Sequence, residues 1–232
     1  MITLLTTGLW IGQGSAWTVD PSHFTVAIFG DAAVGLTEQL DLSSSSPLFG
    51  LAAPHLELKR TVWERERAAV AVSGSLGVPT LGLGLLQGTL IPSEAEIPWT
   101  LTEGLALTGS IKVAEAVLSA TVEGRSALPS GTAEMRPLDL PFWDPMMAPL
   151  VEGPTASLRL WADYSPTDRL MLTAVGTVQV GGLGPDLDGR LVLSAGLTPH
   201  LQARVGVAGA AEGFVYGRGA HAGPVLDARW TW

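Results

Sequence analysis

From residue 23 to the end of the chain, apolar and polar side chains alternate with period two in one short segment after another. In HLELKRTVW (55–63), Leu56, Leu58 and Val62 share one face, interrupted by Arg60, while Glu57, Lys59 and Thr61 share the other. ASLRLWADYS (156–165) and RLMLTAVGTVQV (169–180) repeat the pattern. Period two is the mark of a β-strand whose two faces meet different surroundings. The polar faces carry full charges, which a dry sandwich core does not accept unpaired. The apolar faces are too many for water: charged residues are 15% of the 232, against about 25% in soluble domains, and mean hydropathy is +0.33. Yet no segment holds the 18 or more apolar residues in a row that a spanning helix needs. Apolarity spread over alternate positions suits a closed barrel in lipid, the one sheet that leaves no backbone group unsatisfied in a bilayer.

The connections sharpen this. AVGLTEQLDL (33–42), SAGLTPHLQA (194–203) and ADYSPTDRLML (162–172) share a strand end, a short turn near Thr and a new strand. Short turns also fit ERER (64–67) and KVAEA (112–116), and between them lie longer joins near 43–54, 78–99, 125–153, 181–189 and 213–223. Short turns at one rim and long loops at the other are the asymmetry of a transmembrane barrel. Strands are expected at 23–36, 39–44, 55–63, 68–77, 100–110, 116–124, 155–165, 169–180, 189–198, 201–211 and 224–232, eleven in all. Both chain ends on one side require an even number. The fold expected is therefore an all-β, transmembrane, antiparallel up-and-down barrel of 12 strands, with 10 as the alternative. The stretch 78–99 is the expected place for a miscount; Leu81, Leu85 and Leu86 there also fit a short helix.

The first residues, MITLLTTGLWIGQGSA, contain an apolar core of signal-peptide length and end in Gly-Ser-Ala, a small-x-small cleavage pattern, without a basic leader. Two readings follow: residues 1–16 are a signal peptide ahead of a single barrel domain at 17–232, or residues 1–11 are an extra first strand. The chain has no cysteine, which excludes disulfides and thiolate metal sites and fits an oxidising compartment. Its net charge of −9 and pI near 4.8 leave no basic patch for nucleic acid. Nothing in the sequence calls for a cofactor.

The chain ends in PVLDARWTW, where Leu226, Ala228, Trp230 and Trp232 alternate with Asp227, Arg229 and Thr231. This strand resembles the last strand of bacterial outer-membrane β-barrels, which carries alternating apolar residues and a terminal aromatic, more often Phe than the Trp found here. The GLT-x-x-L stretches at 35–40 and 196–201 are similar to periplasmic turns of that porin-like class. The resemblance is architectural. It implies residence in the outer membrane, contact with its lipids and lipopolysaccharide, and recognition of Leu226, Trp230 and Trp232 by the barrel-insertion machinery.

Candidate chemistry is sparse. His23, His55, His200 and His221 have no nucleophile pattern beside them and there is no Gly-x-Ser-x-Gly, so they read as loop or interface residues. Asp186 and Asp188 in GPDLDGR lack the rest of a calcium loop, and Asp188-Gly189 reads as a hairpin turn. Trp161, Tyr164, Trp230 and Trp232 read as interfacial aromatics, although Trp161 shares the inward face. The distinctive set is the inward-facing one: Asp41, Glu57, Lys59, Glu123, Arg159, Asp163, Arg190, Arg204, Asp227 and Arg229. Mixed in sign, it either lines a narrow aqueous path or pairs into a plug. The first functional expectation is a non-enzymatic channel or transporter for small solutes, with loops 78–99 and 125–153 as constrictions. The alternative is a closed barrel that anchors envelope proteins through those loops. A hydrolase acting on lipid or peptide through His55, His200 or His221 ranks last.

Overall fold

The computed structural model describes residues 14–28, 31–45, 54–80, 99–128, 153–182, 184–211 and 220–232, with 84, 87, 88, 93 and 149. Twelve strands follow in chain order: β1 (Phe24–Ala27), β2 (Asp31–Thr37), β3 (Leu40–Ser45), β4 (His55–Arg65), β5 (Ala68–Gly77), β6 (Leu101–Val113), β7 (Ala116–Leu128), β8 (Thr155–Thr167), β9 (Leu170–Gly181), β10 (Gly184–Thr198), β11 (Leu201–Ala211) and β12 (Ala220–Thr231). Each pairs antiparallel with its chain neighbour, and β1 closes the ring against β12.

The burial pattern is inverted relative to a water-soluble protein. Among the described residues, the buried side chains are largely Ser, Thr, Gln and charged groups, while large apolar residues stand exposed, Leu105 at 75%, Val122 at 59% and Leu226 at 65%. The alternation places them there: along β9, residues 170–180 strictly alternate between exposed and buried. Water would penalise that outer surface by roughly 25 cal/mol for every Å² of apolar area. A hydrocarbon layer removes the penalty, so the alternation and the closed ring together define a transmembrane barrel.

Tight two-residue turns join the strands at the rim that holds the chain's end: 38–39, 66–67, 114–115, 168–169 and 199–200. The shared Thr has a mechanism. Thr37 Oγ1 accepts from the Gln39 N–H at 3.3 Å, Thr167 Oγ1 from Arg169 and Leu170 at 3.3 and 3.1 Å, and Thr198 Oγ1 from His200 at 3.2 Å. Each hydroxyl closes a small side-chain turn, and each sits at a register shift in its hairpin, Gly35/Thr37, Tyr164/Thr167 and Gly196/Thr198.

Three expectations need correction. The single strand at 23–36 is two, β1 ending at Ala27 and β2 beginning at Asp31, and this division supplies the twelfth strand of the closed ring. A break inside one apolar-polar run leaves the periodicity almost unchanged, which is why alternation alone does not reveal it. The long join at 181–189 does not exist: β10 begins at Gly184, three residues past the end of β9. Asp188 and Gly189 are accordingly strand residues, paired with Ala210 and Gly209, and not a turn. The extra strand at residues 1–11, residues 1–13 of the signal-peptide reading of 1–16, and the helical reading of Leu81, Leu85 and Leu86 lie outside the described residues.

Candidate functional site

Inside the ring the chain does something its periodicity does not announce. Residues 14–19 run within the barrel, towards the rim of tight turns, before β1 begins. Ser15, Ala16, Trp17 and Val19 are all buried. The Ala16 N–H donates to Ser110 Oγ at 2.7 Å, and its carbonyl accepts from Thr61 Oγ1 at 2.7 Å. Lys59 Nζ donates to the carbonyls of Ser15 and Trp17 at 3.3 and 3.0 Å and pairs with Asp41 Oδ2 at 3.2 Å. The same carboxylate oxygen accepts the Val19 N–H at 3.1 Å. Trp17 packs on Ala69, Ala71 and Val117, with Lys112 Nζ 4.3 Å from its ring centre. The small residues of β5 and the glycine at 35 make this room; a Cβ on Gly35 would lie 2.1 Å from the Asp20 carbonyl oxygen.

The remaining interior charges fall into neighbourhoods. Glu123 accepts from Arg125 Nε at 2.6 Å over Gly104, where a Cβ would meet Ser75 Oγ at 2.5 Å. Asp163 accepts from Trp161 Nε1 at 2.7 Å and Thr173 Oγ1 at 2.5 Å. Arg190 lies over the Trp161 ring, 5.6 Å from its centre, within electrostatic reach of Arg159, Arg204, Asp31 and Asp188. Arg204 pairs with Asp227 at 3.0 Å across the β11–β12 ladder, and Arg229 is 4% exposed next to them. Trp161 is thus an inward aromatic rather than an interfacial one; the Gly14 backbone sits so close that a Cβ there would overlap its ring. A cavity of about 90 Å³ remains, bounded by Gly14 and Ser15, by Asp31, Glu57 and Glu123, and by Arg159.

Leu226 and Trp232 are exposed on the outer surface and Trp230 is half-buried, Trp232 stacking on Phe24 with ring centres 5.9 Å apart. Among the histidines, His200 Nδ1 lies 2.9 Å from the Thr231 carbonyl oxygen at the rim of tight turns. His55 is buried at the far end of β4, its carbonyl accepting from Ser44 Oγ, so the two are at opposite ends of the barrel. His221 falls in β12, but its side chain lies outside the described residues.

With a closed ring, polar inside and apolar outside, the comparison with known structures is decisive for architecture. The NanC porin aligns with TM-score 0.57 over 90% of this chain and 97% of its own, at 7% identity. The KdgM porin in complex with disordered oligogalacturonate aligns with TM-score 0.53 over 90% and 96%, at 8% identity. The fold is that of the outer-membrane porins. No family model matches the sequence, and no curated protein matches it significantly. At 7–8% identity the porin likeness is one of backbone, carried by alternation and strand pairing rather than by shared side chains.

Sequence reading missed three groups that the porin-like barrel brings inside. Arg125 follows Glu123 at the strand period, but the expected strand stopped at 124. Asp31 was absorbed into the uninterrupted 23–36 strand. Residues 14–19 gave no signal beyond a small-residue cleavage pattern, because a segment held by its backbone carbonyls and N–H groups writes no periodicity.

Proposed function

We propose that this chain is a narrow passive channel for small polar solutes in the bacterial outer membrane. The observation that carries the reading is the solvent-sized polar cavity enclosed by a complete ring whose outer face is apolar. The ten interior charges Asp41, Glu57, Lys59, Glu123, Arg159, Asp163, Arg190, Arg204, Asp227 and Arg229, joined by Asp31 and Arg125, form a path of mixed sign. Opposite charges alternating along a narrow polar lumen stabilise dipolar solutes without strong selection for one ion. Leu226, Trp230 and Trp232 serve as the signal read by the barrel-insertion machinery, and the outer surface contacts membrane lipids and lipopolysaccharide.

Planar-bilayer recording of the refolded protein tests this. Stepwise single-channel conductance is expected, and a barrel that is folded by heat-modifiable gel mobility yet electrically silent refutes the channel. One observation favours the second reading, a closed anchoring barrel: residues 14–19 occupy the half of the lumen nearest the tight turns. In that reading the loops around 78–99 and 125–153 dock envelope proteins, and removing residues 14–19 would turn a silent barrel into a conducting one.

A further inference from the structure

The charges around the cavity are not equivalent. Lys59 and Asp41 neutralise each other, as do Arg125 and Glu123, and Asp31 is engaged by partners of its own. Two remain. Glu57 on β4 and Arg159 on β8 line the same cavity, are both half-buried, and make no hydrogen bond or ion pair among the described residues. They stand on walls four strands apart, one anionic and one cationic. A charge drawn partly out of water costs free energy until a counter-charge meets it. A lone anion in this cavity would satisfy Arg159 and be repelled by Glu57, and a lone cation the reverse. An occupant that offers both signs at once, spaced by a short neutral stem, relieves both.

We propose that Glu57 and Arg159 form a binding site for small zwitterions of the amino-acid type, the ammonium on the Glu57 carboxylate and the carboxylate on the Arg159 guanidinium. The inference rests on the channel reading and names its solute class. Space agrees: 90 Å³ is room for several waters at about 30 Å³ each, hence for a compact solute. The chemistry of the two groups agrees as well, because a planar guanidinium takes a carboxylate through two parallel hydrogen bonds, whereas a carboxylate needs only a compact donor. Gly14 and Ser15 bound the same cavity, so the segment inside the barrel supplies part of the site's wall.

Proteoliposome swelling separates this inference from the reading beneath it. Glycine and its uncharged isomer glycolamide have the same atoms and differ in charge. In the wild-type protein glycine is expected to enter faster than glycolamide. Glu57→Gln and Arg159→Gln should each erase that preference, a fall of about tenfold in the ratio of glycine to glycolamide entry for one charge-assisted hydrogen bond. The exchanged pair Glu57→Arg/Arg159→Glu should restore the preference, which a merely structural role would not do. Heat-modifiable mobility of every variant checks that the barrel has formed. If glycolamide enters but glycine is not favoured, or if the single variants keep the preference, the zwitterion site is wrong and the channel stands. If neither solute enters the wild-type vesicles, the channel reading fails and takes the site with it.

Discussion

Replacing Lys59 by Met probes the interior where it is most densely connected. The Lys59 ammonium serves Asp41 Oδ2 at 3.2 Å and the carbonyls of Ser15 and Trp17 at 3.3 and 3.0 Å, and both members of the ion pair are buried. Lys59→Met leaves the Asp41 carboxylate with the Val19 N–H as its remaining hydrogen-bond partner among the described residues. Stranding one member of a buried pair costs about 3–5 kcal/mol, and the two carbonyls lose charged donors besides. The expected loss of unfolding free energy is therefore about 4 kcal/mol. Asp41→Asn should cost less, because the ammonium keeps its two carbonyl acceptors. The double variant should lose less than the two singles combined, by at least about 1 kcal/mol, since no uncompensated charge remains. Urea unfolding in lipid vesicles, followed by tryptophan fluorescence, gives all three values. A Lys59→Met loss within about 0.5 kcal/mol of zero, or strictly additive singles, would refute the pairing as the anchor of residues 14–19.

Gly35→Ala pushes a Cβ to 2.1 Å from Asp20 O and 2.4 Å from Val19 O, both backbone; overpacking of this kind costs about 1–3 kcal/mol, and quenching of Trp17 fluorescence by acrylamide should rise as the segment lifts. Ala114 holds a φ of 52° in the turn between β6 and β7. Ala114→Gly should therefore raise unfolding free energy by about 1 kcal/mol, and no gain in the same urea titration would count against the turn geometry. Trp232→Ala removes the stack on Phe24 across the β12–β1 seam, a contact worth about 0.5–1.5 kcal/mol beyond buried area. The folded fraction on vesicle-assisted assembly, read by gel mobility, should fall.

Fold and site were legible to different depths. Strand pairing in a barrel is local in sequence and its two faces meet opposite solvents, so alternation in β4, β8 and β9 wrote the architecture almost directly. The Thr37, Thr167 and Thr198 turns were visible as a recurring pattern, and the hydroxyl-to-amide bonds give that pattern its cause. Interior contacts were not legible in the same way. Which side chains meet depends on the register between strands: Asp41 finds Lys59 and Asp163 finds Thr173 directly across a ladder, and alternation within one strand does not say which residue of the next strand stands opposite. The segment at 14–19 is furthest from reach, since its partners sit on β3, β4 and β6, up to 94 residues away.

The ring is closed unevenly. Among the described residues β1 meets β12 over three residue pairs, Thr25 to Ala27, and β2 over two, whereas β6 and β7 are joined from Val113↔Ala116 to Leu101↔Leu128. A hoop parts at its shortest joint, and here both short joints belong to one strand. Residues 14–19 change which of the two gives way. They lead into β1 and are fastened to β3, β4 and β6, so β1 is bolted from the inside to the wall beyond β2, whereas among the described residues β12 holds it by the ladder, its flanking backbone bonds and the Phe24–Trp232 stack. The barrel therefore behaves as a door with a fixed hinge side, and heat or force would swing it open between Ala27 and Arg229 rather than anywhere else along its circumference.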